Sequence, residues 1–189
     1  MGLCGTRLTT TARNKLHDEL SSVYAFFQKL TGIKMSMPGI KKSSGENDAA
    51  WYSYDTIFIN PDYNPENLGI GEMVAHEFLH YTQDMLFWKR LRRSSGKKAT
   101  EQIGEFFEGA AFLFAAAYVN RDSQRPKKRV LEYMTRKEHM TRSGIGNRQV
   151  LAMFENKRIP IRKAVRDSLR YDHIIKVCMT GRMPRYSSN

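Results

Sequence analysis

The sequence predicts an α+β fold: an N-terminal helix, a small sheet, a helical hairpin, and then a basic helical C-terminal region. Three observations predict it. Helical periodicity covers most of the chain, in blocks separated by Gly, Pro or Ser breaks. The most strand-like segment, Trp51 to Ile59, falls between two such blocks. The charge is uneven: residues 1–119 carry 13 Lys or Arg and 13 Asp or Glu, whereas residues 120–189 carry 18 and 6, so the whole formal surplus of +12 lies in the last third. A domain over residues 1–119 with a basic extension over 120–189, packed on it or appended to it, is the expected organisation.

Each element follows from its pattern. Leu16, Leu20, Val23, Phe27 and Leu30 recur at helical spacing between Thr11 and Thr31, and Gly32 ends that helix. Ile33 to Met37 alternates as a short extended segment and stops at Pro38-Gly39, and Lys41 to Asp48 reads as a polar loop. Trp51 to Ile59, rich in aromatic and β-branched residues, reads as one strand closed by Asn60-Pro61. Met73, Val74, Phe78, Tyr81 and Met85 mark a helix from Gly71 to Arg92, and Ser94-Ser95-Gly96 separates it from a second, Thr100 to Val119. Beyond Asn120, basic amphipathic helices are expected over Val130–His139, Asn147–Lys157 and Ile161–Val177.

Composition narrows the class. With 189 residues and 41% hydrophobic content, the chain is long enough to bury a core. No run approaches the ~18 to 20 apolar residues that cross a bilayer, and Ala110 to Val119 is the longest candidate. The N-terminus has no secretory pattern, so a soluble protein in the cytoplasm, or within a larger intracellular or viral assembly, is expected. Met1-Gly2-Leu3-Cys4-Gly5-Thr6 fits the loose myristoylation pattern at Gly2, with Cys4 open to a second acyl chain. Cys4 and Cys178 stand at opposite ends and make neither a disulfide framework nor a thiolate metal site.

The chemistry concentrates in His76-Glu77-Phe78-Leu79-His80. On a helix, four residues advance about 6 Å and return to the same face, so both imidazoles can reach one ion at about 2.0 to 2.1 Å. Glu77 lies beside that face, where it can take a proton from metal-activated water. Zinc is the expected ion, and a catalytic zinc site needs a third protein ligand. Asp84 fails on geometry, because its backbone would lie about 12 Å along the axis from that of His76. The following helix offers Glu101, Glu105 and Glu108; an antiparallel return brings Glu108 nearest the level of the histidines. Its apolar company, from Phe106 to Phe114, would penalise an unpaired carboxylate, and a metal removes that penalty. Glu105 is the fallback ligand, or an acceptor for a histidine ring proton.

Ala75-His76-Glu77-Phe78-Leu79-His80 followed by Glu108-Gly109-Ala110-Ala111 resembles the gluzincin metallopeptidases, and the strand ending at Ile59-Asn60-Pro61 is similar to their cleft-lining edge strand. The resemblance spans residues 11–119, and its specific content lies in the two short motifs. It implies a zincin-like arrangement, with the N-terminal helix and sheet above, helices below and a cleft between. Glu108-x-x-Ala111-x-x-Phe114-Ala115 is also similar to phage and bacterial anti-repressor peptidases, although Leu79 replaces the glycine those carry before the second histidine and the basic C-terminal region has no counterpart there.

The expected function is therefore a zinc-dependent peptidase with His76, His80 and Glu108 on the metal and Glu77 as general base. An extended peptide would pair with the free edge of the Trp51–Ile59 strand, and Tyr118, Tyr133, His139 and His173 are candidates by type for a second oxyanion donor. The basic region contains no helix-turn-helix, zinc-finger or aromatic RNA-binding motif, so its expected partners are nucleic acid, held without sequence preference, or an acidic protein. Two other readings fit the same residues. One is a non-catalytic module of a nucleoprotein or viral particle with a vestigial metal site, and the other is a hydrolase of a non-peptide amide.

Overall fold

The computed structural model describes residues 10–43, 49–60, 62, 69–88, 97–135, 159–170 and 174. Among them the chain is α+β, with five α-helices and one three-stranded sheet. The N-terminal acylation pattern, both cysteines, His139, His173 and the Asn147–Lys157 helix lie outside the described residues.

Helix α1, Thr10–Thr31, buries Leu16, Leu20, Val23 and Phe27, the apolar stripe its periodicity predicts. Gly32 stops it in the left-handed region at φ 77°, where a side chain would be strained, and its N–H donates to the Gln28 carbonyl at 2.8 Å. The strand then starts later than the alternation implies. Ile33 to Met37 has no ladder partner among the described residues and is held through side chains: the Tyr24 hydroxyl donates to the Met35 carbonyl at 2.6 Å and that of Tyr81 to the Ser36 carbonyl at 3.1 Å. Strand β1 is Gly39–Lys42, which places Lys41 and Lys42 in the sheet and not in a loop.

Trp51 to Ile59 is two strands, not one. Strands β2, Ala50–Ser53, and β3, Thr56–Ile59, form an antiparallel hairpin around Tyr54-Asp55, with Tyr54 at φ 56°. The turn was hidden because it lacks Gly or Pro and aromatic composition runs straight through it. Trp51 stacks on its cross-strand partner Phe58 at 5.2 Å. Strand β3 also pairs in parallel with β1, giving the order β1-β3-β2; Ile57 and Ile59 of this central strand are buried. Strand β2 is consequently an edge, paired with β3 alone among the described residues.

Helix α2, Ile70–Gln83, continues as a π-helical segment, Asp84–Trp88, and packs along α3, Lys97–Val119. Glu72 in the first turn of α2 suits the positive end of the helix dipole. Gly71 leaves room for the Glu19 carboxylate and the Tyr118 ring: a Cβ there would come within 2.5 Å of Glu19 Oε1 and 3.1 Å of Tyr118 Cε1. Tyr118 of α3 locks the same junction, donating to Glu19 at 2.6 Å and lying 2.9 Å from Ser22 Oγ. Phe27, Phe78 and Phe114 meet edge to face or tilted at the centre, with centroids 5.3 to 6.3 Å apart. Burying each contributes about 1.5 to 3 kcal/mol.

Helices α4, Pro126–Met134, and α5, Ile161–Ser168, add Val130, Tyr133, Met134, Ala164 and Val165 to the same apolar cluster. Helix α5 packs on α1 and α3. No helix of the described residues is long and apolar enough to cross a membrane.

Candidate metal centre

The four-residue spacing of His76 and His80 puts both rings on one side of α2, and tertiary packing determines what faces them. His76 meets Phe112, His80 meets Glu108 and Gln83 meets Phe107, so rising positions on α2 pair with falling positions on α3 and the helices run antiparallel.

The ligand groups of three residues converge. His76 Nε2 and His80 Nε2 are 3.0 Å apart, His80 Nε2 is 3.2 Å from Glu108 Oε1, and His76 Nε2 is 3.4 Å from Glu108 Oε2. A tetrahedral ion holding N and O ligands at about 2.0 to 2.2 Å separates them by about 3.3 to 3.6 Å. Each of the three distances, two of them to different oxygens of Glu108, lies within a few tenths of an ångström of that separation, and His76, His80 and Glu108 form a group able to hold one ion. Two imidazoles and a carboxylate are a donor set for a transition-metal ion, zinc and iron among them; oxygen-only sets suit magnesium or calcium.

The electrostatics favour a cation here. Burial works against the imidazolium of His80, yet the hydrogen bond and charge of Glu108, helped by Glu77 and Gln83, push it up to about 9. Burial raises the carboxyl of Glu108, but hydrogen bonds and charge from His76 and His80 outweigh this and hold it well below the usual carboxylate range. Positive charge between these groups is thus stabilised before any metal is considered.

Gln83 supplies the orientation that the sequence did not announce. Its Nε2 donates to the Phe107 carbonyl at 3.1 Å, which leaves its Oε1 to accept from His80 Nδ1 at 3.0 Å. With the proton on Nδ1, His80 Nε2 keeps its lone pair for a metal. The Phe112 ring, 4.5 Å from that of His76, steadies the other imidazole. The signal was present only as a polar residue three positions after His80, on a helix with many polar positions.

Glu77, 8% exposed, opens with the two histidines, Glu108 and Phe112 onto a cleft of about 460 Å³. Ala50, Trp51 and Tyr52 of β2 form its opposite wall. Glu105, one turn from Glu108, is not in the ligand group, and Asp84 is absent from it too. Asp84 instead accepts a hydrogen bond from the Tyr52 hydroxyl at 2.8 Å beside a second, smaller pocket next to His80. Burial, then Asp84, raise the Tyr52 hydroxyl far above the ordinary tyrosine range, so it stays protonated.

Two candidate oxyanion donors are removed. Tyr118 is engaged with Glu19 and Ser22, and the Tyr133 hydroxyl donates to Glu72; neither lines the cleft. Both hydroxyls are spent on joining helices, a use that residue type alone cannot distinguish from catalysis. Compared with known proteins, the chain matches no family model, no curated protein and no solved structure.

Proposed function

We propose that the protein is a zinc-dependent peptidase of zincin-like design, with His76, His80 and Glu108 as metal ligands and Glu77 as general base. The observation that carries this reading is the set of contacts of 3.0, 3.2 and 3.4 Å among the ligand groups of three residues, built from an H-E-x-x-H helix and a glutamate on the next helix. When bound, such an ion supplies Lewis acidity and acidifies water.

The chain's own residues do the rest. Glu77 takes a proton from the attacking water; the water oxygen bonds to the peptide carbonyl carbon; the C–N bond breaks; Glu77 returns the proton to the leaving amine. The side of β2 that no described residue pairs, whose residues 50–52 line the cleft, offers main-chain groups to an extended peptide. An open cleft bordered by a sheet edge favours a peptide over a small amide, which needs an enclosed pocket.

The test has two parts. Elemental analysis should find one zinc per chain, lost in Glu108→Ala and kept in Glu105→Ala. Zinc-loaded wild type should cleave a library of unstructured peptides, and Glu77→Gln should hold zinc while cleaving at least ~10²-fold more slowly. Wild type that binds no zinc after reconstitution would sink the metal site. Zinc binding with no cleavage of any peptide would point instead to a non-catalytic module.

A further inference from the structure

The smaller pocket beside His80, about 240 Å³, is continuous with the metal centre: Tyr52, His80 and Glu108 line both it and the cleft. A side chain seated in it therefore belongs to a residue held next to the metal ligands. Among the described residues the polar groups of its lining are spent on one another. Gln83 donates to the Phe107 carbonyl and accepts from His80, and Asp84 accepts from the Tyr52 hydroxyl at 2.8 Å. What the lining presents to an occupant is chiefly carbon, with Phe107 and Tyr52 contributing rings.

Gly104 also lines this pocket, and it is the unexpected residue there. It stands inside α3, where glycine weakens a helix relative to alanine. It lies one turn before Glu108, which meets His80, so position 104 shares the face turned toward α2. A Cβ at Gly71 would collide with Glu19, but a Cβ at Gly104 would meet no atom of the described residues within 4 Å. Close packing among those residues does not require this glycine, and its lack of a side chain leaves the pocket its width. A cavity of about 150 Å³ lined by apolar side chains takes a benzene ring, so this one has room for an aromatic ring or a long aliphatic chain.

We propose that this pocket receives a large apolar side chain from one of the two substrate residues that flank the cleaved bond, and that Gly104 sets the size it accepts. The proposal rests on the peptidase reading and adds a specificity to it. Burial of carbon against Phe107 and Tyr52 supplies the attraction. A small side chain would leave the pocket partly empty and forgo those contacts.

Gly104→Leu tests it in two ways; leucine is a better helix former than glycine, and circular dichroism checks that the variant folds. In metal-free full-length protein, the amide NMR signals of Gln83 and Phe107 should shift saturably with N-acetyl-phenylalaninamide and not with N-acetyl-alaninamide, and Gly104→Leu should abolish the response. In zinc-loaded protein, peptides with Phe or Leu beside the cleaved bond should have kcat/KM at least ~10-fold above those with Ala. Gly104→Leu should erase that preference while cleaving the Ala peptides within a few-fold of wild type. No NMR response in wild type, or an unchanged one in Gly104→Leu, would overturn the pocket. A preference for Lys or Arg that Asp84→Asn removes would overturn it in favour of charge recognition. The expected NMR response with no peptide cleaved would sink the peptidase reading and uphold the apolar pocket, so the two failures are distinguishable.

Discussion

Two ring nitrogens, Nε2 of His76 and Nε2 of His80, face each other at 3.0 Å. Two lone pairs at that distance repel, so a proton or a metal cation must lie between them, and Glu108 completes the triangle. Several measurable consequences depend on this arrangement and on the packing that enforces it.

Removing the metal should soften the protein. A bound ion at 100 times its Kd adds about 2.7 kcal/mol, which for a chain of this size is a rise in Tm of about 5 to 10 °C. Differential scanning calorimetry with and without chelator should show that difference in wild type and none in His76→Ala.

Gln83→Leu should weaken zinc binding about 10- to 100-fold while leaving the stoichiometry at one, because His80 loses the acceptor that sets its tautomer. Competition against a chromophoric chelator measures this. An unchanged affinity would show that Gln83 serves packing alone.

The aromatic centre should dominate stability. Phe78 is fully buried against Phe27, Tyr24 and Phe114. Phe78→Ala should therefore cost about 3 to 5 kcal/mol in urea denaturation, a large share of the roughly 5 to 15 kcal/mol that holds a domain together.

Alkaline pH should destabilise the fold through Tyr118. Burial, then its hydrogen bond to Glu19, raise its hydroxyl above the ordinary value of 10.0, with Ser22 and Arg121 opposing. The folded state therefore keeps a proton that the unfolded state loses. This stability is fully present below pH 10 and is lost as pH rises through the folded value. In Tyr118→Phe, denaturation midpoints should start lower at pH 7, by the loss of one hydrogen bond worth about 0.5 to 1.5 kcal/mol, and fall less between pH 9.5 and 11.

Local features were legible and non-local ones were not. The stripe Leu16, Leu20, Val23, Phe27 revealed α1, and Gly32 its end, because periodicity and a left-handed stop are properties of neighbouring residues. The hairpin at Tyr54-Asp55 escaped notice because nothing in those residue types demands a turn; its geometry is imposed by pairing Ser53 with Thr56. The parallel partnership of β1 with β3 was invisible for the same reason.

Helical pitch alone puts His76 and His80 on one helix face with Glu77 beside them, a relation already present in the order of residues. Helix length and an antiparallel return also bring Glu108 nearest their level. That its carboxylate meets both imidazoles, that Gln83 is turned by the Phe107 carbonyl to orient His80, and that Tyr118 and Tyr133 join helices and stay out of the cleft are consequences of the folded packing. Side-chain meetings between distant segments depend on how apolar faces pack, and packing is a property of the whole core and not of any one stretch of chain.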